Sequence, residues 1–161
     1  VINVSWEDAK AYAQWLSQQT RKRYRLPTES EWEYVGRSGP KQEVWAGTSE
    51  ESQLGEYAVF LDNSENRTAE VGGKKKNDFG FYDLSGNVWE WVEDCWHGTY
   101  EGAPNDGLAW LQTGSGNCGQ RVIRGGSWDN APGALRVSFR YWDFADFRDS
   151  DVGFRLAQDL P

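Results

Sequence analysis

Histidine occurs once in these 161 residues, at position 97, and cysteine only twice, at positions 95 and 118. One imidazole and two thiols cannot assemble a three-histidine metal site, and a tetrahedral zinc site needs more ligands than this. Metal redox chemistry therefore starts from a shortage of ligands. No run of 18 apolar residues exists, so no segment reads as a membrane-spanning helix. Positive charge is also scarce. Seventeen Lys and Arg face 25 Asp and Glu, for a net charge of −8 and a pI near 4.7. That balance argues against nucleic acid as a partner. No signal peptide is present, yet Val1 does not read as a native start, so the chain is expected to be a piece of a longer protein.

Tryptophan and glycine are abundant by contrast, at ten and eighteen, in a chain whose mean hydropathy is −0.79. The length suits one domain with its own core. Many large rings beside many glycines point to an irregular, loop-rich fold in which tryptophans supply burial that regular elements do not. Cys95 and Cys118 both lie in turn-rich sequence, which favours a disulfide over two free thiols. Such a bond would contribute about 3 kcal/mol by closing its 24-residue loop. It also leans the localisation, otherwise unknown, toward the cell surface or periplasm.

Along the chain, residues 1–4 read as a short strand. Ser5 caps a helix running to about Thr20, with Trp6, Ala9, Ala13 and Leu16 at helical spacing and Tyr12 and Trp15 widening the stripe. Residues 24–27 are extended because Pro27 biases Leu26 away from helix. Thr28 and Glu31 form a capping box for a second helix that stops before Gly39. Residues 41–76 are turn-rich. Residues 88–92 read as a strand with Val88, Glu90 and Val92 on one face and Trp89 and Trp91 on the other. A long loop over 94–120 precedes a strand at 121–124, and a final strand covers 152–157.

The blocks NVSWEDAKAYAQWL, YRLPTESEWEY, FGFYDLSGNVWEWVED, RVIRGGSW and VGFRLA occur in that order. In order and content they resemble the signature blocks of the formylglycine-generating-enzyme (sulfatase-modifying factor) family, over nearly the whole chain. The resemblance implies an α+β fold, an irregular elaboration of the C-type lectin fold with two N-terminal helices, small antiparallel sheets and long loops. It implies one domain over 1–161, with the family's opening strands missing before the NVSW block. It also implies a calcium site built from the side chains of Asp83 and Glu90 and the carbonyls of Gly86 and Val88; hard oxygen donors of this kind suit Ca²⁺. The family's enzymes oxidise a thiol with copper held by a cysteine pair between GGS and GFR. Here the second cysteine falls at Val137, and residues 127–154 hold no cysteine. A thiolate is needed both to hold Cu(I) and to meet the thiol substrate. The residues therefore imply neither copper nor, with a single histidine, a His-ligated iron.

The interval between the GGSW and GFR blocks has its own composition. Lys, Glu and Gln make up 27 of the 161 residues, a rate at which 24 residues would hold about four; residues 129–152 hold none. All five acids there are Asp. Codons ending in a pyrimidine cannot encode Lys, Glu or Gln. The pattern resembles the variable region of proteins diversified by diversity-generating retroelements, which use this lectin fold. The positions that would vary are Asp129, Asn130, Ala131, Gly133, Ala134, Phe139, Tyr141, Asp143, Phe144, Phe147, Asp149, Ser150 and Asp151. The fixed frame would be Gly125, Gly126, Ser127, Trp128, Leu135, Arg136, Arg140, Arg148, Gly153, Phe154 and Arg155, in a variable region of about 121–157.

Aromatic and short polar side chains are the usual material of adaptable binding surfaces. The expected function is thus a non-catalytic protein that binds a protein or other surface ligand. The alternatives are a copper-dependent oxidase of the family type and a regulatory or sensory domain fused to an upstream module.

Overall fold

A computed structural model describes residues 1–111 and 114–159. Helix α1 spans Trp6–Thr20 and α2 spans Glu29–Gly36. Both begin with the reciprocal caps that the sequence signals. Ser5 Oγ accepts from the Asp8 amide at 3.1 Å, while an Asp8 carboxylate oxygen accepts from the Ser5 amide at 2.9 Å. Thr28 and Glu31 repeat the arrangement on α2. A capping box satisfies two of the amides that a helix start leaves without partners. The buried stripe of α1 is narrower than its periodicity suggests. Ala9 and Ala13 are buried, but Tyr12 and Trp15 are about half exposed and meet each other at 5.6 Å.

A short helix, α3 (Leu54–Tyr57), lies within the turn-rich residues 41–76. The strands are β1 (Tyr24–Arg25), β2 (Trp89–Trp96), β3 (Asn117–Arg124), β4 (Arg140–Phe144), β5 (Val152–Phe154) and β6 (Ala157–Gln158). Four of them form a sheet in the order β4-β3-β2-β5, and β1 pairs with β6. The α+β class and the lectin-like irregularity agree with expectation; five details do not, the first being that β2, to Trp96, and β3, from Asn117, reach into the residues 94–120 expected as loop. Residues 1–4 are not a strand, because Asn3 is left-handed (φ 58°) and its amide bonds the Asp149 carbonyl. The final strand is two strands serving two sheets, with Arg155 and Leu156 turning between them. The larger sheet is mixed, since β5 runs parallel to β2. Strand β4 has no counterpart among the strands that the sequence patterns predict.

Strand β2 is the centre of the fold. Trp89 and Trp91 lie on one face with Ala9, Leu26, Ile123 and Val152. Val92 lies on the other with Trp32, Leu84, Val122 and Val137. Both faces are buried, which is why the first half of this strand reads as an apolar run containing a single carboxylate. Cys95 and Cys118 form a disulfide that ties the far ends of β2 and β3 together, with Cα atoms 4.5 Å apart. Reduction is expected to lower stability by about 3 kcal/mol. Chemical denaturation with and without a reductant measures this; coincident curves would show that the sheet alone holds that end.

Candidate recognition surface

None of the thirteen candidate variable residues is buried. Asp129, Ala131, Gly133, Tyr141, Phe144, Asp149 and Ser150 are exposed, and Asn130, Ala134, Phe139, Asp143, Phe147 and Asp151 are partly covered. Part of the expected fixed frame behaves differently. Gly125, Gly126, Ser127, Leu135 and Gly153 are buried. Val137, where the resemblance places a cysteine, has no exposed surface and packs among Trp32, Leu84 and Val92.

Three arginines fasten the stretch to three different elements. Arg140 holds Glu29 of α2 through two bonds of 2.6 and 2.9 Å and donates to the His97 carbonyl. Arg148 grips Asp8 at the start of α1 with 2.7 and 3.0 Å bonds, and this pairing, together with the Ser5 amide, holds the Asp8 carboxyl down to about 2. Arg155 forks onto Glu90 of β2 at 2.6 and 2.5 Å and reaches the carbonyls of Tyr82 and Asp83. Planar guanidinium forks fix direction as well as distance. Arg136, the fourth, is exposed and bonds the Gly133 carbonyl.

Strand β4 carries the exposed aromatic side chains. It lies at the edge of the sheet, paired only with β3. Tyr141 is 50 % exposed and sits 5.9 Å from the Trp89 ring, which also meets Phe139 at 6.0 Å. On the opposite face of the strand, Phe144 is 54 % exposed and meets Trp142 edge-on at 5.6 Å. Phe139 and Phe147 belong instead to the margin of the core around Ala9 and Trp91. The four candidate rings therefore divide: two are presented to solvent, and two brace the surface from beneath. Phe147 is thus a poor site for a change meant to leave folding intact.

Asp143 lies within β4, and two other aspartates of the stretch converge on Ser127. Ser127 Oγ lies 2.7 Å from Asp129, 3.1 Å from Asn130 and 3.0 Å from Asp151. Partial burial, aided by the charges of Asp129 and Asp149, pushes the Asp151 carboxyl up. Asp143 is pushed up in the same way, with Asp149 and Asp146 adding to its burial. None of Asp129, Asp143, Asp146, Asp149 and Asp151 has a salt-bridge partner among the described residues.

Asp83, Val88 and Glu90 of the expected calcium set line one groove with Arg155. The two carboxylates are already engaged. Glu90 accepts from Arg155 on both oxygens and from Trp32 Nε1, while Asp83 accepts from the Gly72 amide. A buried carboxylate neutralised by a guanidinium does not fit a divalent cation as arranged, because the two positive charges would compete for one anion. Millimolar calcium is accordingly expected to leave the melting temperature where EDTA leaves it; a saturable rise with calcium concentration would indicate binding to the folded state.

A separate cleft of about 460 Å³ is lined by Glu29, Glu33, Tyr34, Asp94, Tyr100 and Trp110. Asp94 accepts from the amides of Glu29 and Trp110, both at 2.7 Å, and burial pushes its carboxyl up to about 6. The parts of the cleft come from α2, β2 and the long loop, so only tertiary structure unites them. The capping-box and strand patterns that mark these elements carry no signal of the shared space.

Comparison with known proteins agrees with the fold. The chain is 33 % identical over 175 residues to a formylglycine-generating enzyme of Streptomyces coelicolor, matching 99 % of this chain and 52 % of the relative. It is 32 % identical to the inactive C-alpha-formylglycine-generating enzyme 2 of Bos taurus, over 98 % of this chain and 49 % of the relative. The chain thus spans about half the length of these curated relatives. Among solved structures, PvdO from Pseudomonas aeruginosa superposes with a TM-score of 0.90 at 37 % identity, over 99 % of this chain and 62 % of that one. Treponema denticola variable protein 1 does so at 0.82 and 31 %, over 97 % and 69 %. The family model of the sulfatase-modifying factor enzyme 1-like domain matches residues 1–160, and the chain belongs to that family.

Proposed function

We propose that this chain is a non-catalytic binding protein in which residues 129–151 form a ligand-recognition surface, diversified at thirteen positions, on a fixed frame. The observation that carries this is the division of labour within the stretch. Seven candidate variable residues are exposed and six partly covered, whereas Leu135 and Val137 between them and Gly125, Gly126 and Gly153 at the flanks are buried, and Arg140, Arg148 and Arg155 tie the stretch to α2, α1 and β2. Substitution at accessible positions away from special contacts usually changes stability by less than about 0.5 kcal/mol. At the seven exposed positions such a surface can vary without loss of the fold, whereas Phe139 and Phe147 brace it from the core. The likeness to Treponema denticola variable protein 1 supports the same reading.

The family's oxidase chemistry finds no support in the site itself. Among the described residues no cysteine is free, and the one disulfide ties the far ends of β2 and β3 rather than residues of the 127–154 stretch. The gene's surroundings test diversification: a near-copy of the segment encoding 121–157, with asparagine codons at the thirteen positions and an adjacent reverse-transcriptase gene, is the expected finding. Stoichiometric Cu(I) binding with oxygen consumption on a cysteine peptide would overturn the non-catalytic reading.

A further inference from the structure

We infer that the surface around β4 takes a positively charged polypeptide segment, one that lays lysine or arginine side chains across Tyr141 and Phe144. This rests on the recognition-surface reading above and gives that surface a ligand class. The first ground is where the cations of the stretch go. Arg140, Arg148 and Arg155 spend their charge on Glu29, Asp8 and Glu90, which all belong to the frame, and the exposed Arg136, bonded to the Gly133 carbonyl, is the one cation left against five aspartates. Five aspartates remain beside the platform without an ion-pair partner among the described residues. Their fields overlap: Asp143 responds to Asp146 and Asp149, and Asp151 to Asp129 and Asp149. The excess of negative charge, five aspartates against Arg136, is therefore a property of this stretch and not only of the chain's overall −8.

The second ground is the platform. Tyr141 and Phe144 are each about half exposed, on opposite faces of one edge strand, and are buttressed by Trp89 and Trp142. Aromatic faces attract cations, and a nearby carboxylate adds to that attraction. An edge strand also presents backbone groups to which an extended segment can add as a further strand. Charge complementarity selects among occupants. A second copy of this chain would bring the same aspartates against themselves, and a polyanion or an anionic lipid surface would be repelled. A basic polypeptide satisfies the rings and the carboxylates together and can pair along the strand edge, where the Phe144 amide now donates to Asp143.

A displayed library of random extended peptides, selected on the intact protein and counter-selected on the Tyr141→Ala/Phe144→Ala variant, tests this. The expected ligands are enriched in Lys and Arg, and they lose about tenfold in affinity on an Asp143→Asn/Asp149→Asn variant that keeps the wild-type circular dichroism and melting temperature. Their affinity should also fall with added salt. Selected peptides that need Tyr141 and Phe144 but are neutral or acidic would overturn the charge assignment and leave the recognition surface standing. A selection with no peptide dependent on Tyr141 and Phe144 would overturn both.

Discussion

Replacing Glu29 by glutamine is expected to destabilise the protein by about 3–5 kcal/mol, the range for removing one partner of a buried ion pair. Glu29 is 5 % exposed and holds two guanidiniums, Arg124 and Arg140, of which Arg124 has no exposed surface at all. Arg124 keeps Glu33 and the Val137 carbonyl when Glu29 is neutralised. Arg140 pairs with no second carboxylate among the described residues and retains the His97 carbonyl and the rings of Trp96 and Tyr100. Its charge, largely desolvated, is then poorly compensated, and Arg140 is also the first residue of β4. The change should therefore loosen the recognition strand as well as lower the midpoint of urea unfolding. Adding Arg140→Met to Glu29→Gln should recover part of the loss, because neighbouring changes in one network are not additive. If the single variant unfolds at the wild-type midpoint, the ion network is not what holds β4.

Gly86→Ala is expected to cost about 2–5 kcal/mol, combining the left-handed backbone penalty with overpacking. Gly86 has φ 79°, and a Cβ there would lie 2.2 Å from the Val59 carbonyl oxygen and 3.2 Å from Leu135 Cδ2. Backbone cannot step aside as a flexible side chain can. Val59 and Gly86 form an isolated parallel bridge, and the Asn87 amide bonds the same Val59 oxygen at 2.7 Å. Leu135 is fully buried with Trp45, Leu54, Ala58 and Phe60, so the clash would be felt in that core too. Gly80 provides the control. It also has positive φ, 86°, but a Cβ added to it would meet nothing within 4 Å. Gly80→Ala should therefore show the backbone penalty alone, about 1–2 kcal/mol. Equal losses at both sites, measured by thermal unfolding, would contradict this contrast.

The parts of the fold legible in sequence are those whose signals are local. Ser5 and Thr28 announce their helices because each cap is completed by a residue three positions on. The alternation around Trp89–Val92 announces β2 because its two faces meet different core clusters. What sequence could not show depends on distant partners. Strand β4 reads as loop because Arg140, Asp143 and the half-exposed Tyr141 give it no buried alternation; pairing with β3 makes it a strand. Residues 152–157 read as one strand because nothing local reveals that Ala157 crosses to Arg25. The resemblance assigns Glu90 to a metal site, and only the fold brings Arg155, 65 residues away, onto its carboxylate. The missing Lys, Glu and Gln in residues 129–152 mark the proposed recognition stretch without distinguishing the exposed rings, Tyr141 and Phe144, from Phe139 and Phe147 at the core margin.

One measurement bears most directly on a surface that varies over a fixed frame. The seven exposed candidate positions, Asp129, Ala131, Gly133, Tyr141, Phe144, Asp149 and Ser150, are randomised together among residues with pyrimidine-ending codons, and thermal unfolding is followed for a set of clones. Most clones should fold and melt within about 5 °C of the parent, a spread of roughly 1–2 kcal/mol for a domain of this size. Widespread loss of cooperative unfolding would contradict the account, since it would make these side chains part of what holds the fold together.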